Sequence, residues 1–170
     1  RKRAARMMVL ALDLGVRTGW ALSNGGSRVE SGVQTFDLKR GESPGMRYVR
    51  FNRWLSEYLP LRSASTLEEK MADDALLVYE LAHHRGGAAT ELHLGLATRV
   101  QEFCARRGYQ HSGVHSARLK KWVTGHGNAD KDMMQTVTAA RWPIGREFLS
   151  DDEADAVALL AYALAELVGQ

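Results

Sequence analysis

Residues 10–22 read LALDLGVRTGWAL. An apolar run carries one carboxylate, Asp13, and meets Gly15 two residues later. A buried carboxylate without a partner is costly. Asp13 therefore stands at an exposed strand end, or something positive waits for it. Outward from this stretch, residues 8–13 (MVLALD) read as a buried strand. The segments TGWALSN and SRVESGVQTF follow, with Asn24-Gly25-Gly26 between them as turn chemistry, and so predict an antiparallel meander.

Further on, Met46, Val49, Trp54, Leu55 and Tyr58 recur at helical spacing over 46–59. Residues 62–74 (RSASTLEEKMADD) read as loop or a helix end, and ALLVYE (75–80) is a second short apolar run closed by a carboxylate. A helix is predicted over 89–106 with Gly108 as its stop, then a fifth strand over 109–115 and a short helix over 116–123. Asn128 is a candidate N-cap for a helix over 129–141, which Pro143 ends. Ser150 caps a final helix whose first turn is acidic and whose body is Ala/Leu-rich. Three antiparallel strands, then strands reached through helices, imply an α/β domain: a mixed five-stranded sheet flanked by helices.

The 170 residues are 45% hydrophobic and 25% charged, which suits one domain with its own core, placed at 8–170 behind a basic arm, 1–7. The opening RKRAARMMVLALDLG lacks a small-residue cleavage site and reads as that arm entering a core strand rather than as a leader. Cys104 is the single cysteine, so neither an internal disulfide nor a thiolate metal cluster is expected, and a reducing compartment such as a cytoplasm or an organellar matrix is compatible. The formal charge of +3 is mild, but its distribution is clustered: Arg1, Lys2, Arg3 and Arg6, then Arg47, Arg50 and Arg53, then Arg118, Lys120, Lys121 and Lys131. Clusters of this kind suit a polyanion partner or a solvated surface.

Four acids are candidates to converge. Asp13 and Glu80 end two strands, and Asp152 and Asp155 are three apart in the last helix, on one face. Gathered together they would repel unless a cation were present, and hard oxygen donors point to Mg²⁺, with Mn²⁺ as a substitute. Each acid also has a plainer reading. Asp13 can form a turn, Glu80 can be a lone strand-end acid, and Asp151, Asp152 and Glu153 suit a helix dipole. Asp155 is harder to assign to solvation, because an apolar helix runs on behind it. Gly125 and Gly127 in TGHGNADK would let backbone amides approach a phosphate at a helix start, or would simply form a loop. Lys120, Lys121 and Lys131 could each neutralise a phosphate. His83, His84 and Arg85, beside Gly86-Gly87, form a basic loop suited to a splayed base.

The blocks LALDLGVRTGWAL, LLVYELAHH, LKKWVTGHGNADKDMMQ and DDEADAVALLAYAL, in that order, resemble RuvC-type Holliday junction resolvases of the ribonuclease H-like superfamily. The resemblance implies a ribonuclease H-like fold and an acidic quartet, Asp13, Glu80, Asp152 and Asp155, holding two Mg²⁺ ions. It also implies a homodimer that nicks a four-way DNA junction symmetrically, and DNA contacts at Lys120 and Lys131. Two departures stand out: the family's D-P-G is Asp13-Leu14-Gly15 here, and its aromatic wedge is His83. They resemble divergent phage and organellar members, of broader branched-DNA range. Leu92, Leu96, Val100 and Phe103 form one stripe of the 89–106 helix, and Leu94 and Ala97 a second that would serve the dimer. Two other readings compete. D-x-G-x-x-T-G-W is similar to the phosphate loop of sugar kinases and actin-like ATPases, which need a second such loop and about twice the length. A non-catalytic junction-binding protein would keep the fold without the chemistry.

Overall fold

The computed structural model describes residues 7–26, 28–59, 74–82 and 86–168. Residues 1–6 of the basic arm, residues 60–73 and His83, His84 and Arg85 lie outside the described residues. Strands β1 (Met8–Asp13), β2 (Arg17–Ser23) and β3 (Val29–Thr35) form the meander, and helix α1 (Met46–Tyr58) follows. Then come β4 (Ala75–Glu80), α2 (Ala88–Arg107), β5 (Gln110–Val114), α3 (Ser116–Thr124), α4 (Lys131–Arg141) and α5 (Asp151–Glu166). The sheet order is β3-β2-β1-β4-β5, with β1–β2 and β2–β3 antiparallel and β1–β4 and β4–β5 parallel. This is the mixed five-stranded sheet expected from the sequence.

β1 is apolar up to Asp13 because both faces of the sheet are covered. Val9 and Ala11 enter a layer with Leu76, Val78 and the apolar side of α5, also lined by α3 and α4. Leu10 and Leu12 enter the opposite layer with Leu77, Tyr79, Phe51 and Leu55 of α1, and Leu96 and Val100 of α2. Strand alternation therefore sends Asp13 to the side of Val9 and Ala11, the α5 side. Leu76 and Val78 carry Glu80 to the same side. The turn after Asp13 is closed by buried Thr18, whose hydroxyl donates to the Gly15 carbonyl at 2.9 Å.

The helix ends are specified locally. Gly108 (φ 71°) and Gly125 (φ 84°) end α2 and α3 in the left-handed conformation, which a side chain would disfavour. Ser150 caps α5 and accepts from the Glu153 amide. The expected cap of α4 shifts: Asp130, not Asn128, accepts from the Met133 amide, and the helix starts at Lys131. An acid at the N-cap adds favourable charge to the helix dipole, which neutral Asn cannot. The two stripes on α2 also change. Leu96, Ala97, Val100 and Phe103 are all buried within the subunit, and Leu94 is exposed. Ala97 joins the core because α1 packs alongside α2, with Tyr48 of α1 lying against Gly95. Among the described residues no helix is long and apolar enough to cross a membrane.

Candidate active site

The candidate site is built at the C-terminal ends of β1 and β4. Leu12 pairs with Tyr79, so the next residues, Asp13 and Glu80, are neighbours on adjacent parallel strands. On the other flank Asp13 pairs with Gly19 of β2. Gly19 is where α5 lands. A Cβ there would lie 1.8 Å from the Asp152 carbonyl oxygen and 2.9 Å from the Glu153 nitrogen. The first turn of α5 thus rests directly on the β2 backbone, one strand away from Asp13. A residue with any side chain at position 19 would hold it off.

This approach crowds carboxylates. Burial raises the Asp13 carboxyl well above its ordinary range, and repulsion from Asp155, Glu80 and Asp152 raises it further, against a smaller opposing effect of Lys131. Asp155 is pushed up to about 6 by burial and by Glu80, with Lys131 again opposing and Asp151 and Asp152 adding to the rise. The four acids therefore lie within electrostatic reach of one another, with Lys131 at their margin. They do not form a finished cage: among the described residues no three His, Cys, Asp or Glu side chains are grouped as metal ligands. Asp152 is turned aside. Its Oδ2 lies 3.4 Å from Arg17 Nε and accepts from the Ser150 hydroxyl at 3.3 Å.

The donor set is oxygen only, and mutual repulsion already disfavours its full ionisation. That fits a hard divalent cation such as Mg²⁺ in charge and chemistry. Asp13, Glu80, Asp155 and Asp152 could hold it, the last by exchanging Arg17 for the ion.

The remaining candidates are more scattered. Lys131 opens α4 beside the acids. Lys121, in the last turn of α3, is exposed, and Lys120 is half-buried on the same helix. Gly125 serves as the C-cap of α3, and a Cβ at Gly127 would make an ordinary contact of 3.5 Å with the Ala117 carbonyl. The Asp130 carboxylate already occupies the N-terminus of α4 that these glycines precede.

Several residues near the acids were not singled out from the sequence. Arg17 partners Asp152, and Gly19 admits the helix. His93 of α2 donates from Nε2 to the Glu80 carbonyl at 2.7 Å, tethering the end of β4. Glu153 is 0% exposed and paired with Arg146. Only Glu153 carried a readable signal: Ser150-x-x-Glu153 is a capping-box pattern.

No protein-family model matches the chain, and neither does any curated protein. Solved structures do. The Thermus thermophilus RuvC structure superposes with a TM-score of 0.64 at 16% identity, over 94% of this chain and 96% of that one. T. thermophilus RuvC in complex with Holliday junction substrate gives 0.66 at 15% identity, over 91% and 90%. The yeast mitochondrial Holliday junction resolvase Ydc2 gives 0.55 at 13% identity, over 92% and 77%. With its sheet order, its flanking helices and its acids at the ends of β1 and β4, this chain has the fold of the RuvC-type Holliday junction resolvases.

Proposed function

We propose that the chain is an Mg²⁺-dependent, structure-selective DNA endonuclease that resolves four-way junctions by paired nicks. One observation carries the reading. Acids from two adjacent parallel strand ends and one helix face crowd together in a RuvC fold, and Asp13 and Asp155 are held above their ordinary range by that crowding. In this reading Asp13, on the central strand, would hold the cations together with Glu80, Asp152 and Asp155. When bound, two Mg²⁺ ions would supply the charge that favours attack by water on a phosphodiester and departure of its 3′-oxygen. Water adds to phosphorus, the P–O3′ bond breaks, and the proton ends on the 3′-hydroxyl, leaving a 5′-phosphate.

The chain's own residues do the rest. Lys131, next to the acids, meets the phosphate charge that the carboxylates would otherwise repel. Lys120 and Lys121 extend the basic surface along α3, and His83, His84 and Arg85, next after Leu81 and Ala82 in the sequence, are further candidates for DNA contact. Two such sites are needed for two opposed strands, so a homodimer through α2 completes the proposal. Leu94 of α2 and Val49 of α1, each 48% exposed, are apolar residues left for that contact.

The test is a panel of branched DNAs, four-way junctions, forks and flaps, incubated with Mg²⁺ or chelator, with products mapped at nucleotide resolution. The expected outcome is metal-dependent, symmetric nicking of the four-way junction. Asp13→Asn should lower nicking about 10²–10³-fold, by analogy with the loss of one electrostatic catalytic group. It should leave junction binding intact, since removing a negative charge weakens no phosphate contact. Equal cutting of forks and flaps would widen the substrate class. Nicking that survives Asp13→Asn, or binding without any nicking, would overturn the enzyme reading.

A further inference from the structure

Glu153 is flanked by the two helix acids of the candidate site, yet it faces elsewhere. Successive residues on an α-helix turn by roughly 100°, so Glu153 points about 200° away from Asp155. Its carboxylate lies fully buried and gathers donors from three parts of the chain. Oε1 accepts from Arg146 Nη2 at 2.6 Å and from the Ser31 hydroxyl of β3 at 2.8 Å. Oε2 accepts from Arg146 Nη1 at 3.1 Å and from the Leu149 amide at 2.6 Å. Arg146 itself also donates to the Ser31 carbonyl at 3.2 Å and the Glu147 carbonyl at 2.8 Å. The sheet order runs β3-β2-β1-β4. With Glu153 anchored on β3 and the backbone resting on Gly19 of β2, the far side of the turn faces β1 and β4.

We propose that Glu153, with Arg146 and Ser31, is a positioning residue: it sets the rotation of α5 about its axis and thereby aims Asp155 at the Asp13–Glu80 strand ends and holds Asp152 beside them. The anchor is rigid for a physical reason. A buried carboxylate is tolerable only with its acceptor sites filled, so rotating the helix would strand a charge away from water. A bidentate arginine pair adds direction as well as energy. An acidic first turn needed only to suit the helix dipole would leave Glu153 at the surface, where its neighbour Asp151 is partly exposed.

The proposal rests on the nuclease reading, and its test separates the two. Mn²⁺ binding is measured by calorimetry on the full chain, alongside nicking at saturating junction, junction affinity in chelator, and thermal midpoint. Glu153→Ala should weaken Mn²⁺ binding and nicking about 10-fold or more, as loss of a residue that orients metal ligands does, and leave junction affinity within about two-fold. Glu153→Gln, which keeps the shape and one acceptor, should recover part of both. Arg146→Lys alters only a half-exposed side chain and keeps the charge. It loses the planar fork, and should weaken Mn²⁺ binding about three-fold, below the full loss expected of an orienting group. That variant decides the matter if Glu153→Ala does not fold. A lowered thermal midpoint with Mn²⁺ affinity and turnover unchanged at a temperature where the variants are folded would overturn the positioning role and leave a merely structural one. Wild-type chain that neither binds Mn²⁺ nor nicks any branched DNA would overturn the nuclease reading and this inference with it.

Discussion

Two neighbouring parts of one helical turn treat the same chemical group in opposite ways. Glu153 is fully buried and its carboxyl lies below the ordinary value of 4.5. Burial alone would raise it, but hydrogen bonds from Arg146, the Leu149 amide and Ser31 outweigh that cost. Asp155, two residues on, is pushed up to about 6 because burial and other carboxylates act on it together. Asp13 shares that fate across the gap. The paired acid stabilises the fold. The unpaired ones are strained by each other, and such strain persists where the surrounding structure over-determines it. An acid left unbalanced two residues from one that is fully paired is what the proposed cation site requires.

The largest expected effect comes from disturbing what both groups share. Gly19→Ala places a methyl group where the Asp152 backbone now lies, and neither backbone can yield without moving the helix. A shift of about 1 Å at the acids should cost about 10²-fold in nicking, and overpacking should cost about 1–3 kcal/mol in unfolding free energy. Denaturant melts and nicking rates on one protein preparation measure both. A fully active Gly19→Ala would mean that the helix is free to ride up, and the contrast between the two acid groups would lose its structural cause.

A smaller effect, of opposite sign, follows from the crowding itself. Asp13→Asn removes one repelling charge, so in chelator it should raise the thermal midpoint by a few degrees, equivalent to about 1 kcal/mol. Wild-type chain should gain stability on adding Mg²⁺, and the variant less, because ligands stabilise the state that binds them. The pH sense is fixed as well. The folded values of Asp13 and Asp155 lie above the unfolded ones, so their destabilisation is greatest at neutral pH and is relieved as pH falls through the folded values. An Asp13→Asn chain less stable than wild type in chelator would contradict the crowding.

The smallest effect belongs to a second carboxylate–arginine pair, one nearer the solvent. Glu42 accepts from Arg50 and from the Lys39 amide, and these bonds hold its carboxyl below the ordinary 4.5. The stability it contributes is present above the unfolded value and is lost as pH falls through the folded one. Glu42→Gln should therefore flatten the acid limb of a stability–pH curve slightly and change nothing at the acids. Exposed pairs contribute little, so a large effect here would blur the distinction drawn for Glu153.

Much of this was legible in the chain. Alternation and turn residues disclosed the meander, and the two short apolar runs ending in Asp13 and Glu80 disclosed the parallel pair, because a strand covered on both faces is apolar at every position. The helix ends at Gly108 and Ser150 were legible from single residues, since a left-handed stop and a hydroxyl cap are local chemistry. What could not be read depends on partners distant along the chain. Ser31 meets Glu153 across 122 residues, and Gly19 matters only because Asp152 arrives above it. The tether from His93 to the Glu80 carbonyl carries no motif either. The α4 cap was misplaced by two residues, because Asn128 and Asp130 are both capping types and loop geometry chooses between them.

The division of the interior into two apolar layers has a consequence for mutational tolerance. The layer beneath α5 is closed by small residues of that helix, Ala156, Ala158 and Ala163, which let it lie close to the sheet. A larger residue at any of them should lift the helix and the acids it carries. On the side of α1 and α2, the imidazole at position 93 holds the Glu80 carbonyl. Substitutions on that side should therefore disturb the four acids less than equal changes beneath α5.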